Sequence, residues 1–252
     1  MGKIKNIDLL VISCDAYSDI WDTFFKTFFR YWQDCPLDIH LLSNSKSYNH
    51  NEIHPIKVGQ DISWSDNLLN GIDQLKKDYV LILFEDLFLN QKVSMTYFNQ
   101  ISKWINNYNP NYLRLCISHK PEYFDAFVGG IPRKTPYKTS TMPCIWKRSK
   151  LREILKKGES AWDFEIKGSK RAYEHDGFYA VYKDLIRYNN GVIKGKWRKS
   201  ILKEGNEYGL NINMISRPVM TTVEEFVYAL RKYRSVLFNR LPNKLRRVLK
   251  RQ

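Results

Sequence analysis

Residues 79–86 read Tyr79-Val80-Leu81-Ile82-Leu83-Phe84-Glu85-Asp86. The apolar run is the most buried-looking stretch of the chain and predicts a strand covered on both faces. Two adjacent carboxylates follow it at once. Desolvating them is costly unless they bind something. A divalent cation bridging a diphosphate would satisfy them, because Mg²⁺ and Mn²⁺ prefer oxygen ligands. A helix N-cap or a solvated strand end would satisfy them equally, and spacing alone leaves both readings open.

On either side of this run, strand-like and helix-like patterns alternate. Residues 7–13 form a short apolar run that predicts a first strand. Residues 19–32 carry Ile20, Trp21, Phe24, Phe25, Phe28, Phe29 and Trp32 at helical spacing. Strands are expected over 37–42 and 56–58, helices over 64–76 and 94–108, and further strands over 112–118 and 141–146. A helix follows over 149–157. The alternation predicts an α/β chain with a parallel, doubly wound sheet. Ligands of such sheets bind beyond the carboxyl ends of the strands. That singles out residues 13–17, Ser43-Asn44, Glu85-Asp86 and the loop after Ser118.

The composition narrows the classes. The 252 residues fit one large domain, with or without a small appendage. Lys and Arg number 41 against 26 acids, so the formal charge is 41 − 26 = +15. Such a surface attracts polyanions: nucleic acid, anionic lipid or phosphorylated substrates. The four cysteines include no C-x-x-C pair, and no histidine stands at zinc spacing from them, which predicts reduced thiols. No signal peptide is recognisable, and no apolar run approaches the roughly 20 residues of a membrane span. A cytoplasmic location is therefore expected. Neither an H-E-x-x-H array nor a G-x-S-x-G elbow is present, which argues against a zinc or serine hydrolase.

Three further stretches hold candidate chemistry. In residues 158–165 acids alternate with aromatics. On an extended segment Asp163 and Glu165 would share one face and Trp162 and Phe164 the other. A carboxylate beside an apolar wall can be tuned as a general base; an exposed acidic turn is the alternative. Residues 61–67 open a helix, where Ser63, Ser65 and Asp66 either cap it or contact a base or ribose. In residues 191–197 glycines flank basic residues, so Lys196 is a candidate phosphate contact, with a β-turn as the alternative.

Several of these stretches together resemble a family of bacterial glycosyltransferase-like proteins from polysaccharide gene clusters, of the capsule and O-antigen kind. The matching residues are 11–21 (VISCDAYSDIW), 63–66 (SWSD), 79–88 (YVLILFEDLF), 142–146 (MPCIW) and 158–165 (GESAWDFE) with Gly168-Ser169. The resemblance covers roughly residues 7–200. It implies a GT-A-like, Rossmann-type, mostly parallel sheet flanked by helices. It also implies a sugar-nucleotide donor (a UDP-sugar above all) and a glycan acceptor, with Mn²⁺ or Mg²⁺ as cofactor. By the same resemblance Asp86 matches the metal-binding acid, with Glu85 beside it, and Asp163 or Glu165 matches the base. Ser13, Asp15, Tyr17, Asn44 and Asp66 fall where nucleotide contacts are expected. The chain has Glu-Asp-Leu in place of the family's usual Asp-x-Asp.

Residues 1–222 are read as the catalytic domain and 223–252 as a basic amphipathic helical tail. From Arg231 onward the tail carries nine basic residues and no acid, with Val236, Leu237, Leu241, Leu245, Val248 and Leu249 interleaved. It predicts attachment to an anionic membrane surface, hence a peripheral position on the inner face of the cell membrane and a lipid-linked acceptor. Two rivals accompany the glycosyltransferase reading. A nucleotidyltransferase would use the same fold and acids. A basic nucleic-acid-binding module would use the +15 charge, but no nucleic-acid-binding motif is visible, so no nucleic-acid partner is expected.

Overall fold

A computed structural model describes residues 6–118, 121–210, 212 and 214–249. Its strands are β1 (Ile7–Ile12), β2 (Asp38–Ser43), β3 (Ile53–Lys57), β4 (Tyr79–Phe84), β5 (Leu87–Leu89), β6 (Tyr112–Arg114), β7 (Glu122–Tyr123), β8 (Val128–Gly130), β9 (Cys144–Lys147), β10 (Phe178–Val181), β11 (Tyr188–Asn190), β12 (Val192–Ile193) and β13 (Lys196–Trp197). The helices are α1 (Trp21–Tyr31), α2 (Trp64–Ile72), α3 (Met95–Tyr108), α4 (Arg148–Ile154), α5 (Ala161–Asp163), α6 (Ser169–Arg171), α7 (Lys199–Tyr208), α8 (Thr222–Arg240) and α9 (Asn243–Leu249).

The main sheet has the order β3-β2-β1-β4-β9-β6-β10-β8-β7. β1 to β4, β6, β7 and β10 share one direction, and β9 and β8 run against them. The parallel sheet expected from the sequence is thus mostly parallel, with β9 inserted antiparallel between β4 and β6. The architecture is a large, mostly parallel sheet flanked by helices, with a basic helical segment at its C-terminal end.

The strands read as continuous apolar runs because both faces are covered. Leu9, Val11, Leu81 and Leu83 point into one core with Phe24, Phe25 and Phe28 of α1 and Ile101 and Ile105 of α3. Leu10, Ile12, Val80 and Ile82 point into the other, with Leu68 and Ile72 of α2 and Leu151 and Ile154 of α4. Fully burying a phenylalanine such as Phe24 or Phe28 stabilises by roughly 1.5–3 kcal/mol. Phe88 of β5 bridges the first core to the C-terminal region, lying 6.3 Å from Phe24 and stacked on Trp197 at 6.1 Å.

Register decides where the site lies. Ile12 pairs with both Leu42 and Phe84, so β1, β2 and β4 end together. Residues 13–17, 43–44 and 85–86 therefore emerge side by side. Two local expectations are corrected. The strand expected over 112–118 stops at Arg114, whose buried guanidinium donates to the Tyr137 and Lys138 carbonyls. Residues 158–165 are not extended: Ser160 and Asp163 form a capping box that starts α5, and a π-helical turn, Phe164–Gly168, joins α5 to α6. The Ser-x-x-Asp capping signal outweighs the acid–aromatic alternation. The basic segment is helical to Leu249; residues 250–252, like His119, lie outside the described residues. Among the described residues no helix is long and apolar enough to cross a membrane.

Candidate active site

β4 delivers Glu85 and Asp86 into a two-residue turn before β5. The turn is pinned from the far end of the chain. β5 pairs with β11, Leu87 opposite Asn190, and the Gly191 N–H donates to the Asp86 carbonyl at 2.7 Å. Glu85 is buried and Asp86 half-buried. Burial, and then the neighbouring Asp86 charge, push the Glu85 carboxyl up to about 8. Burial likewise raises Asp86 to about 6. The pair thus sits in a place that penalises its negative charge in the absence of a cation.

A cation of the chain itself approaches the pair. Arg217 forms a two-pronged bond to Asp19, Nε to Oδ2 at 2.7 Å and Nη2 to Oδ1 at 2.9 Å, and donates to the Ala16 carbonyl. Its guanidinium lies 4.1 Å from the centre of the Tyr17 ring. It also favours the ionised form of Glu85. Tyr17 lies close enough to both acids for their charges to raise its phenol, although burial is the larger cause. The Ser13 hydroxyl, itself bonded by the Trp21 indole N–H at 2.7 Å, lies beside Glu85 and favours its ionised form.

The loops after β1 and β2 are tied by Asp15 and Asn44. Asp15 accepts the N–H groups of Asn44, Ser45 and Lys46 and the Ser45 hydroxyl, and its own N–H donates to Asn44 Oδ1. Burial opposes its ionisation, but these donors prevail and hold the carboxyl at about 2. Asp15 is therefore a clamp. Among the described residues Asn44 Nδ2 is buried without a hydrogen-bond partner, as is the indole N–H of Trp64 at the start of α2. The Asn44 donor, just past the end of β2, is a candidate ligand contact. Ser63 caps α2, in line with one reading of the sequence, its hydroxyl accepting the Asp66 N–H at 3.1 Å, while the Asp66 carboxylate accepts the Ser63 hydroxyl and the Gly158 N–H at 2.8 Å.

The helical course of 160–171 separates the two candidate bases, since residues two apart on a helix do not share a face. Asp163 points outward, capping α5 and pairing with Lys167 at 2.7 Å, and these donors lower it to about 2. Glu165 turns inward. Its Oε1 accepts the Thr141 N–H at 2.8 Å and hydroxyl at 2.7 Å, and the Ser140 hydroxyl. Tyr188 lies within electrostatic range of both Asp86 and Glu165. Burial first, and then nearby charges including Asp86 and Glu165, hold its phenol protonated. Beside it lies a polar cavity of about 610 Å³ lined in part by Met142, Tyr188, Asn189, Asn190 and Lys232.

The structure thus brings together Ser13, Tyr17, Glu85 and Asp86, with Tyr188 within electrostatic range of both Asp86 and Glu165. Asp163 and Lys196 do not join them; Lys196 is paired with Glu224 at 2.6 Å. Sequence reasoning passes over Arg217, Tyr188 and Asp19, because their roles arise only when distant segments meet.

The donor set fits one kind of metal site. Among the described residues no group of three or more His, Cys, Asp and Glu is placed to hold an ion. Glu85 and Asp86, as two desolvated carboxylates, would suit a hard divalent cation such as Mg²⁺ or Mn²⁺.

Fold and site define an α/β protein whose candidate ligands lie at the carboxyl ends of a mostly parallel sheet. No protein-family model matches the sequence, and no curated protein matches it. Solved structures match in part. S. aureus TarS 1-349 in complex with UDP is 11% identical, covering 70% of this chain and 60% of that one, with a TM-score of 0.47. UDP-glucose pyrophosphorylase complexed with UDP-glucose is 10% identical, over 75% and 92%, at 0.46. An active-site mutant of LgtC is 16% identical, over 67% and 65%, at 0.39. The chain spans about six-tenths of the TarS 1-349 structures it matches. At these values the likenesses assign no activity.

Proposed function

We propose that the chain is a glycosyltransferase that moves a sugar from a nucleoside-diphosphate donor, a UDP-sugar, to a hydroxyl of a glycan acceptor. The observation that carries this is the acid pair itself. Two carboxylates are held protonation-prone at a strand end, Arg217 and Tyr17 stand beside them, and Tyr188 feels the charges of both Asp86 and Glu165. The loops after β1 and β2, through Asn44, are suited to the nucleoside. Asp86, with Glu85, would hold a divalent ion that neutralises charge on the nucleotide leaving group. Arg217 adds a fixed positive charge for the diphosphate.

Glu165 is the better base of the two acids. Its Oε1 is fixed by Thr141 and Ser140, and Oε2 has no hydrogen-bond partner among the described residues. Asp163, held at about 2 and turned outward, is a weak base. The polar cavity beside Tyr188 is suited to a sugar acceptor. Lys232 of α8 lines that cavity, which supports an acceptor carried on a lipid at an anionic membrane surface, with the enzyme peripheral on the inner face. The resemblance over residues 7–200 supports cell-surface polysaccharide synthesis, capsule or O-antigen, as the setting.

A panel of UDP-sugars, assayed for hydrolysis and transfer with and without Mn²⁺, tests this. Glu165→Gln is expected to lower transfer by roughly 10²- to 10⁴-fold, the range of a general base, while UDP still binds. Asp163→Asn is expected to leave transfer nearly intact. Failure of every sugar nucleotide to bind sinks the reading. Pyrophosphate release from a nucleoside triphosphate would establish a nucleotidyltransferase instead.

A further inference from the structure

α8 is docked by its polar face. Glu224 pairs with Lys196, Glu225 pairs with Arg198 and accepts the Lys199 N–H, and the Tyr228 hydroxyl accepts from Asn190. The Arg198 guanidinium stacks on Tyr228 at 4.5 Å. A helix packed on a domain ordinarily turns its apolar stripe inward. Here Val223, Phe226, Leu230, Tyr233 and Leu237 recur at alternating three- and four-residue steps and face outward, 71%, 63%, 52%, 64% and 44% exposed. At about 100° per residue these five lie along one side of the helix. Arg234 and Arg240 flank them.

One edge of this stripe leads into a cavity of about 460 Å³ between α8 and the β12–β13 hairpin. Its walls are Ile193, Met220, Val223 and Val227, and its cations are Lys194, Lys196 and Arg231. Val223 belongs to both stripe and cavity, so the two are continuous. Lys196 is neutralised by Glu224, while Lys194 and Arg231 have no ion-pair partner among the described residues. Lys194 is held at its place by a tight turn, with φ of +50° at Lys194 and +76° at Gly195, the pairing a two-residue type I′ hairpin requires. An apolar trough lined also by two exposed cations without an ion-pair partner among the described residues matches an amphiphile with an anionic head.

We propose that this cavity takes the phosphate headgroup and upper acyl chain of an anionic phospholipid, and that α8 lies in the leaflet surface with its outward stripe among the lipid chains. Charge decides the occupant. From Arg231 the chain is basic without an acid. Pairing two copies along the stripe would bring Arg234 and Arg240 against their counterparts, whereas an anionic leaflet neutralises them. The inference rests on the reading that the C-terminal segment meets an anionic membrane, and it names the lipid and the place that holds it.

The test uses the full chain with vesicles of phosphatidylcholine, alone or mixed with phosphatidylglycerol, and with monomeric short-chain phosphatidylglycerol. The wild type is expected to sediment with the mixed vesicles and to bind the monomeric lipid. Lys194→Ala with Arg231→Ala is expected to lower vesicle partitioning by about 30-fold, roughly fivefold for each near-surface cation. Val227→Trp, which fills the trough, is expected to abolish binding of the monomeric lipid while vesicle binding persists. Leu230→Asp is expected to do the converse. UDP binding, unchanged in all variants, reports the fold. If the wild type ignores mixed vesicles, the membrane reading itself falls. If it binds them and Val227→Trp still takes the monomeric lipid, the cavity claim falls alone. Competition by inorganic phosphate as strong as by the short-chain lipid would make this a free-anion site and overturn the proposal. So would a wild-type dimer that Leu230→Asp dissociates.

Discussion

Replacing Glu85 with Gln tests whether the acid pair is strained when no cation is present. In the folded chain the Glu85 carboxyl is held near 8 against an ordinary 4.5, chiefly by burial. The folded state therefore binds this proton more tightly than the unfolded chain. Stability contributed by the protonated form is complete below about pH 4.5 and is lost as pH rises toward 8. At about 1.36 kcal/mol for each tenfold change in proton affinity, the full loss is roughly 5 kcal/mol. Glutamine keeps the shape and cannot ionise. In the presence of a chelator, Glu85→Gln should match the wild type near pH 4.5 and exceed it by about 3–5 kcal/mol near pH 8.5. For a chain of this length that is roughly 10 °C in Tm. Urea unfolding at a series of pH values, with thermal melts alongside, reads both. Mn²⁺ with UDP should raise the wild-type Tm at the alkaline end, because ligands of the folded state stabilise by mass action. Equal stability of the two proteins near pH 8.5, or a less stable variant, would refute the reasoning.

Arg217→Ala removes the Asp19 fork and the cation over Tyr17; UDP affinity by calorimetry should fall by about 10- to 100-fold, the worth of a charge-assisted hydrogen bond, and unchanged affinity would remove Arg217 from the site. Gly191→Ala would set a Cβ 1.8 Å from Phe88 Cε2; because Phe88 is fixed between Phe24 and Trp197, a loss of about 1–3 kcal/mol or more is expected in urea melts. Asp15, held at about 2, stabilises the fold above its ordinary 3.8 and loses that effect as pH falls toward 2; Asp15→Ala should flatten the acid limb of the stability curve there, and an identical limb would show that the clamp contributes nothing.

The site is legible in the sequence where local signals suffice. The run before Glu85 can only be a covered strand, and strand ends place ligands, so the acid pair stands out. The Asp15–Asn44 tie joins two strand ends that the βαβ pattern already sets side by side. Asp163 and Glu165 are legible as a pair but not apart. Their acid–aromatic alternation suggests a strand and hides a capping box, and the helical turn that box begins sends one acid outward and the other in. The direction of β9 is hidden too, since an apolar run carries no sign of whether it lies parallel or antiparallel. Arg217 leaves no local trace. It sits among residues without periodicity, and its partner is 198 residues earlier.

That separation has a consequence for how the protein is made. A chain synthesised from its N-terminus has β1, β2, β3 and β4 available to pair long before Arg217 exists. The acid pair is thus in place early, without the guanidinium that offsets its charge and without the β11 strand that pins its turn. Closing a loop of this span is entropically slow, and it comes last. Because α8 follows Arg217 by only a few residues, the proposed donor site reaches its finished form at nearly the same moment as the helix proposed to hold the protein at its membrane.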